Sequence, residues 1–354
     1  MHKERGSMFR SIFVVAGAVA ATSCAHVPPP ATAAPAEPQP DPIEVMRTEA
    51  KALAPTVETE LARQFLTATA SLTPAAARVL WQDPKSERLL SAAAVVGLSD
   101  EERKALVPVS ERDMQEFYYD TYYGTPLAYA RPVDLLGAAG VKPGAGQHLV
   151  DFGFGHIGQL RLFAALGFEA IGVDAAHYLD ELYADPTDRG PFGAGQVKIV
   201  IGKYPADAAT VAAVGGDLDV FISKNTLKRG YIHPYRTPEK PEWVIDLGVT
   251  DEVFLKTVHD ALKPGGKLMI YNICPALTPE DKPFVPWSDG RSPYTREQFE
   301  AAGFAVLAFD VDDTAFVRDM GKRLRWDQGP DATDLEHDLS VLYTLVERRD
   351  APAP

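Results

Sequence analysis

The chain has 354 residues, 46% of them apolar and 24% charged, so it can bury a substantial core and is neither fibrous nor disordered throughout. Its formal net charge of -14 repels phosphate backbones and anionic membrane surfaces, which argues against a nucleic-acid partner.

The first ten residues carry His2, Lys3, Arg5 and Arg10, and an apolar run, SIFVVAGAVAAT, follows. That run is shorter than an ordinary spanning helix and has the pattern of a signal peptide. Its end, Ala21-Thr22-Ser23-Cys24, resembles a bacterial lipobox, with Ala21 where leucine is usual. The resemblance implies a lipid on Cys24 that would hold the chain to the membrane of a bacterial cell envelope. The alternative is an uncleaved signal anchor with the folded part in the cytoplasm. Residues 25–43, rich in Pro and Ala, read as an extended, solvated tether. With Cys24 acylated, Cys274 has no cysteine left to pair with.

Residues 44–112 are helical in pattern, with apolar residues recurring through VETELARQFLTATASL and SERLLSAAAVVGL, and Ser99-Asp100-Glu101-Glu102 marks a capped helix start. Nothing in this extension suggests chemistry. Phe117 to Leu136 then concentrates Tyr118, Tyr119, Tyr122, Tyr123 and Tyr129. Such rings either bury themselves with a wet hydroxyl or offer that hydroxyl to a ligand.

The stretch from Gln147 to Ala176 carries most of the functional information. His148 to Asp151 reads as a buried strand ending in an acid. Gly153, Gly155 and Gly158 form a G-x-G-x-x-G turn into a helix, QLRLFAALG, and Phe168 to Val173 is a second strand tipped by Asp174. Glycines let a backbone approach a ligand closely, and an acid at the second strand's tip can accept from ribose hydroxyls, so a nucleoside-containing ligand is implied. Nicotinamide or flavin dinucleotides and S-adenosylmethionine share this pattern. Asp151 separates them, because a carboxylate before the first glycine would repel a pyrophosphate but can pair with the ammonium of a methionine moiety.

The segment DFGFGHIG, with Asp174 beyond it, resembles motif I and the following acidic position of class I S-adenosylmethionine-dependent methyltransferases. Two later phrases resemble the same family: LDVFISKNTLK (218–228), similar to its motif IV, and ALKPGGKLMIY (261–271), a helix-to-strand crossover. The resemblance spans roughly residues 124–348. It implies a doubly wound, Rossmann-like α/β sheet of seven strands, closed by an antiparallel hairpin, over residues 113–350. It also implies S-adenosyl-L-methionine as cofactor, held by Asp151, Gly153, Gly155, Gly158 and Asp174, with Tyr123 in the helical segment that covers it. A small-molecule or protein acceptor follows from the acidic charge.

Further strands are expected at Gln196–Gly202 and Leu218–Asn225, the second bringing Ser223, Lys224 and Asn225 to the cleft. The insert after it, GYIHPYRTPEKPEW, holds His233, Tyr235, Arg236 and Trp243, with His233 a candidate general base. Asp251–Leu262 reads as an amphipathic helix, Lys267–Cys274 as the fifth strand, Thr295 and Gln298 as a capping box, and FAVLAFDVDD and LSVLYTLVER as the closing strands. No HExxH, paired CxxC or G-x-S-x-G occurs. A non-catalytic nucleoside- or metabolite-binding module on the same fold, and an NAD-dependent oxidoreductase, remain as alternatives to methyl transfer.

Overall fold

The structure, a computed structural model, describes residues 41–86, 88–119, 122–329 and 332–349. The leader, Cys24 and residues 25–40 of the tether lie outside the described residues. The chain begins with helices α1 (Pro42–Leu53) and α2 (Glu60–Thr67), whose first turns are capped by the side chains of Asp41 and Thr59. A small antiparallel sheet follows: β1 (Arg78–Gln82), β2 (Leu89–Leu90) and β3 (Val107–Arg112), ordered β2-β1-β3, with α3 (Ala92–Val96) and α4 (Asp100–Ala105) between β2 and β3. The expectation of helix through residues 44–112 therefore holds for α1–α4, including the capped start at Ser99, while residues 78–82, 89–90 and 107–112 are strands. Arg78–Gln82 reads RVLWQ, in which Val79 and Trp81 suit a pleated surface, and it zips to VPVSER. That partner carries Pro108 on an edge strand, where the missing N–H is harmless.

The remaining elements alternate. In order they are α5 (Met114–Tyr118), α6 (Ala130–Ala138), β4 (Gln147–Phe152), α7 (Gly158–Ala165), β5 (Phe168–Asp174), α8 (Tyr178–Leu182), β6 (Gly190–Phe192), β7 (Gly195–Ile201), α9 (Ala208–Val214) and β8 (Leu218–Lys224). Then come α10 (Arg229–Ile232), α11 (Asp251–Ala261), β9 (Leu262–Cys274), α12 (Arg296–Ala301), β10 (Phe304–Asp312), α13 (Thr314–Arg323) and β11 (Ser340–Arg348). The large sheet has the order β10-β11-β9-β8-β4-β5-β7-β6. Strands β4, β5, β7, β8 and β9 pair in parallel, and β11 runs antiparallel between β9 and β10. This is the doubly wound sheet with an antiparallel closing hairpin, extended by one short strand, β6, that turns back onto the edge of β7.

Burial explains the layering. β8 is buried at all of its positions, as a central strand covered on both faces must be, and α7 is almost wholly buried against the sheet. On one face, α1, α2, α6, α7 and α13 close over a core in which Phe65 meets Phe163 at 5.1 Å between ring centroids. On the other, Phe152, Tyr204, Phe221, Phe254 and Tyr294 form a continuous ring cluster under α9, α11 and α12. Each such ring pair contributes about 0.5–1.5 kcal/mol beyond area burial. Because Phe152 directly precedes Gly153, this cluster fixes the base of the glycine turn.

The strand order reverses at β4, which has β5 on one side and β8 on the other. A doubly wound sheet opens its crevice beyond the carboxyl ends of the strands at that reversal. There Asp151, the glycine turn and the segment after β8 come together. No helix among the described residues is long and apolar enough to cross a membrane.

Candidate nucleoside site at the reversal of strand order

Asp151, the next-to-last residue of β4, is 0% exposed. Both of its carboxylate oxygens accept from Tyr129 Oη, at 3.0 and 2.8 Å, and Oδ2 also accepts from Gln159 Nε2 at 3.0 Å. Burial pushes its pKa up to about 6, against the pull of those hydrogen bonds and of the nearby Lys224 ammonium. The same burial, with Asp151 beside it, holds the Tyr129 hydroxyl well above its ordinary range. Lys224, at the end of β8 and 6% exposed, donates to the Tyr123 carbonyl and sits 5.0 Å from the centre of the Tyr129 ring. The carboxylate that the sequence sets against a ligand's ammonium thus lies within a sealed group of the chain's own polar side chains.

The three glycines behave differently from one another. Gly153 has φ +73°, which favours glycine, and a Cβ there would meet Thr226 Oγ1 at 2.1 Å and Thr226 Cβ at 2.7 Å. The close approach it permits is by the chain's own β8–α10 segment. Gly158 is likewise packed, against the Pro126 ring. Gly155, at φ +58°, has open space where its side chain would be. Its N–H points to Asp174 Oδ2 at 3.3 Å, and Asp174 Oδ1 accepts from the Ala176 amide at 2.9 Å. Asp174 is only half-buried, and its pKa is raised by that burial against the amides that bind it. Gly155 and Asp174 together form the accessible part of the loop.

The other expected residues lie as follows. Tyr123 is half-buried and packs edge-on against Trp326, with ring centroids 5.1 Å apart, while its carbonyl rather than its hydroxyl meets Lys224. Asn225 takes φ +67° just past β8, its amide donates to the Tyr271 carbonyl, and its Oδ1 accepts from the Ile273 amide at 2.7 Å. Those bonds pin β8 to β9 beside the glycine turn. His233 is exposed after α10, and its Nε2 contacts both carboxylate oxygens of Asp251, at 2.9 and 3.0 Å. The rest of the insert folds onto residues 279–287: Tyr235 on Phe284, Trp243 on Trp287, and Arg236 on the carbonyls of Pro279, Glu280 and Lys282. The structure therefore gathers Asp151, Gly153, Gly155, Asp174 and Asn225 at one edge and leaves His233 apart, in contact with Asp251.

Gln159 and Thr226 were not among the expected site residues, whereas Lys224 was expected at the cleft and Tyr129 as a hydroxyl that a ligand could meet. Gln159 follows the last glycine directly, so a partial signal existed for it. For Thr226 there was none, since its contact joins two loops 73 residues apart.

No family model and no curated protein sequence matches this chain. Among solved structures it is similar to phosphoethanolamine N-methyltransferase 2 of Haemonchus contortus in complex with S-adenosyl-L-methionine, at 15% identity and TM-score 0.39, over 67% of this chain and 57% of that one. It is similar to a geranyl diphosphate C-methyltransferase from Streptomyces coelicolor, at 14% identity and TM-score 0.37, over 63% and 79% of the two chains. A third similarity is to an S-adenosylmethionine-dependent methyltransferase from Mesorhizobium loti, at 17% identity and TM-score 0.34, over 60% and 95%. Likeness at this level carries no residue roles, and the fold assignment rests on the strand order and pairing of this chain.

Proposed function

We propose that the protein binds S-adenosyl-L-methionine at the turn from Asp151 to Gly158 and transfers its methyl group to a small-molecule or protein acceptor. The observation that carries this reading is the acid–glycine turn–acid unit at the reversal of a sheet with the order and closing hairpin of the methyltransferase fold. The nucleoside half of the cofactor fits the residues as they stand. Gly155 leaves room for close approach, and the half-buried Asp174 carboxylate can exchange its 3.3 Å bond with the Gly155 amide for ribose hydroxyls. The aminoacyl half meets Thr226 over Gly153 and an Asp151 whose oxygens are already engaged.

When bound, the cofactor supplies a methyl group on a sulfonium, already activated for in-line attack. The chain's contribution is to hold the two reactants in register and keep water out, which is where most of the rate would come from. Asn225 stiffens the β8–β9 end on which an acceptor would rest. No proton-transfer step is assigned to His233, which stands exposed on Asp251 and outside the group of residues around the glycine turn.

The covered Gly153 and sealed Asp151 favour one second reading, a nucleoside-binding module that transfers nothing. Calorimetry on the full chain separates the two. Methyl transfer requires that S-adenosylhomocysteine bind more tightly than adenosine; equal affinities support the module, and preference for NAD removes both. Asp174→Ala is expected to weaken the cofactor by about 1–3 kcal/mol through lost charge-assisted hydrogen bonds, and an unchanged affinity takes Asp174 out of the site. The location proposed with this function is the outer face of a membrane, through a lipid on Cys24.

A further inference from the structure

An open cleft of about 540 Å³ lies beyond β8 and along β10, away from the glycine turn. Its walls are Arg229 of α10, Arg291, Ser292 and Arg296 leading into α12, and Phe309 and Asp310 of β10. Internal bonds set its shape. The Arg229 amide donates to the Arg291 carbonyl at 2.8 Å, the Ser292 amide to Asp310 Oδ1 at 2.8 Å, and the Arg291 guanidinium grips Asp289 through two bonds of 2.7 and 2.8 Å. Asp310 sits at φ +45°, where the pairing of β10 shifts register between Ala308 and Val311. A bulge of this kind turns side chains out of the strand's plane.

The donors in this cleft are less spent than the acceptors. Among the described residues Arg229 and Arg296 make no side-chain hydrogen bond and no ion pair; their guanidinium groups lie over Tyr235, 5.9 Å from the ring centre, and Phe309, 5.5 Å away. A guanidinium held over a ring keeps its edge N–H groups for another partner. Asp310 has Oδ1 committed to the Ser292 amide and, at 3.3 Å, to the Thr344 hydroxyl. The carboxylate of Glu297, exposed in the first turn of α12, and the second oxygen of Asp310 are what oppose these two cations. Neither guanidinium makes an ion pair among the described residues, and both line one preformed cleft.

The geometry points to a binding site for a small molecule bearing an oxyanion, phosphate or carboxylate, with Arg229 and Arg296 as its donors. The volume suits a metabolite-sized ligand. Thr226, which covers Gly153, lies in the same short segment after β8 as Arg229. Identifying the ligand with the methyl acceptor rests on the methyl-transfer reading; anion binding itself does not.

The test is calorimetric titration of the full chain with inorganic phosphate and with acetate, beside an Arg229→Gln, Arg296→Gln double variant at the same ionic strength. Saturable binding by the parent is expected, weakened about tenfold or more in the double variant, because each planar fork contributes charge-assisted bonds. The thermal midpoint should move little, since each guanidinium touches one ring and holds no polar side chain. The anion that saturates at lower concentration identifies the group. No saturation by either anion, or undiminished binding in the double variant, overturns the site. Should the double variant melt early, Arg229→Lys with Arg296→Lys replaces it: charge is kept and the fork lost, so binding must still weaken severalfold, and unchanged binding overturns the site. Parallel titration with S-adenosylhomocysteine keeps the two readings apart. Its binding without phosphate or acetate binding sinks the cleft alone, and the reverse result leaves the cleft and removes methyl transfer.

Discussion

Asp151 spends its hydrogen-bonding capacity inside the chain, and that makes its titration a measurable property of the fold. Burial raises its pKa to about 6, so the native state holds a proton that the unfolded chain has released above its ordinary value of 3.8. An acid that binds more protons folded than unfolded contributes stability at low pH and loses that contribution as pH rises through both values. Asp151→Asn removes this titration. Each pH unit between the two values weakens the parent by about 1.36 kcal/mol, so between pH 4 and pH 7 it should lose up to about 3 kcal/mol relative to the variant. Urea denaturation of both proteins at the two pH values measures it; a difference that does not change with pH rejects the buried-acid account. Two positions along, Gly153→Ala faces both a positive φ and the Thr226 side chain. It should destabilise by roughly 2–4 kcal/mol, of which Thr226→Gly recovers the steric share but not the backbone share of about 1 kcal/mol. A double-mutant cycle with no coupling would separate the two residues.

At the level of elements, α1 and α2 share one core with the sheet. Phe65 of α2 is 0% exposed and meets Phe163 of α7, the helix that carries the end of the glycine turn. Asp134 of α6 joins the same assembly by accepting from the amides of Glu58 and Thr59, which fixes the start of α2. Phe65→Ala leaves a cavity behind α7 and should cost about 3–5 kcal/mol, read from the denaturation midpoint. A cost below about 1 kcal/mol would mean that α1 and α2 fold as a loosely attached lid. The insert after α10 contrasts with this. The side chains of Tyr235, Arg236 and Trp243 are tied to residues 279–287, and this explains how a long loop holds its conformation.

For the whole molecule, the acidic surface and the leader bear on location and partners. The net charge of -14 predicts no salt-sensitive nucleic-acid binding at physiological ionic strength. The charged start, short apolar run and Ala21-Thr22-Ser23-Cys24 predict that alkaline phosphatase fused after Pro42 is active, because its disulfides form only in an oxidising compartment. An inactive fusion together with an unlipidated Cys24 would favour a cytoplasmic enzyme with ready access to its methyl donor. An active one raises the standing of the nucleoside-binding module, since S-adenosylmethionine is made in the cytoplasm.

The elements that local pattern can specify were legible in the sequence. The strands ending at Asp151 and Asp174 are short apolar runs closed by an acid, and the capping boxes at Ser99 and Thr295 each lie within four consecutive residues. The small sheet β1–β3 was not, because an isolated RVLWQ looks no more like strand than helix until VPVSER pairs with it. The site divides the same way. The sequence sufficed to bring Asp151, the glycines and Asp174 to one turn, since they belong to a single βα unit. Only tertiary structure decided which of them stay open. Tyr129 reaches Asp151 across 22 residues and Thr226 reaches Gly153 across 73, and Arg229, Arg296 and Phe309 share a cleft although they come from three separate elements. Such contacts follow from how neighbouring strands pair and how the loops beyond them pack, and no periodicity along the chain encodes that.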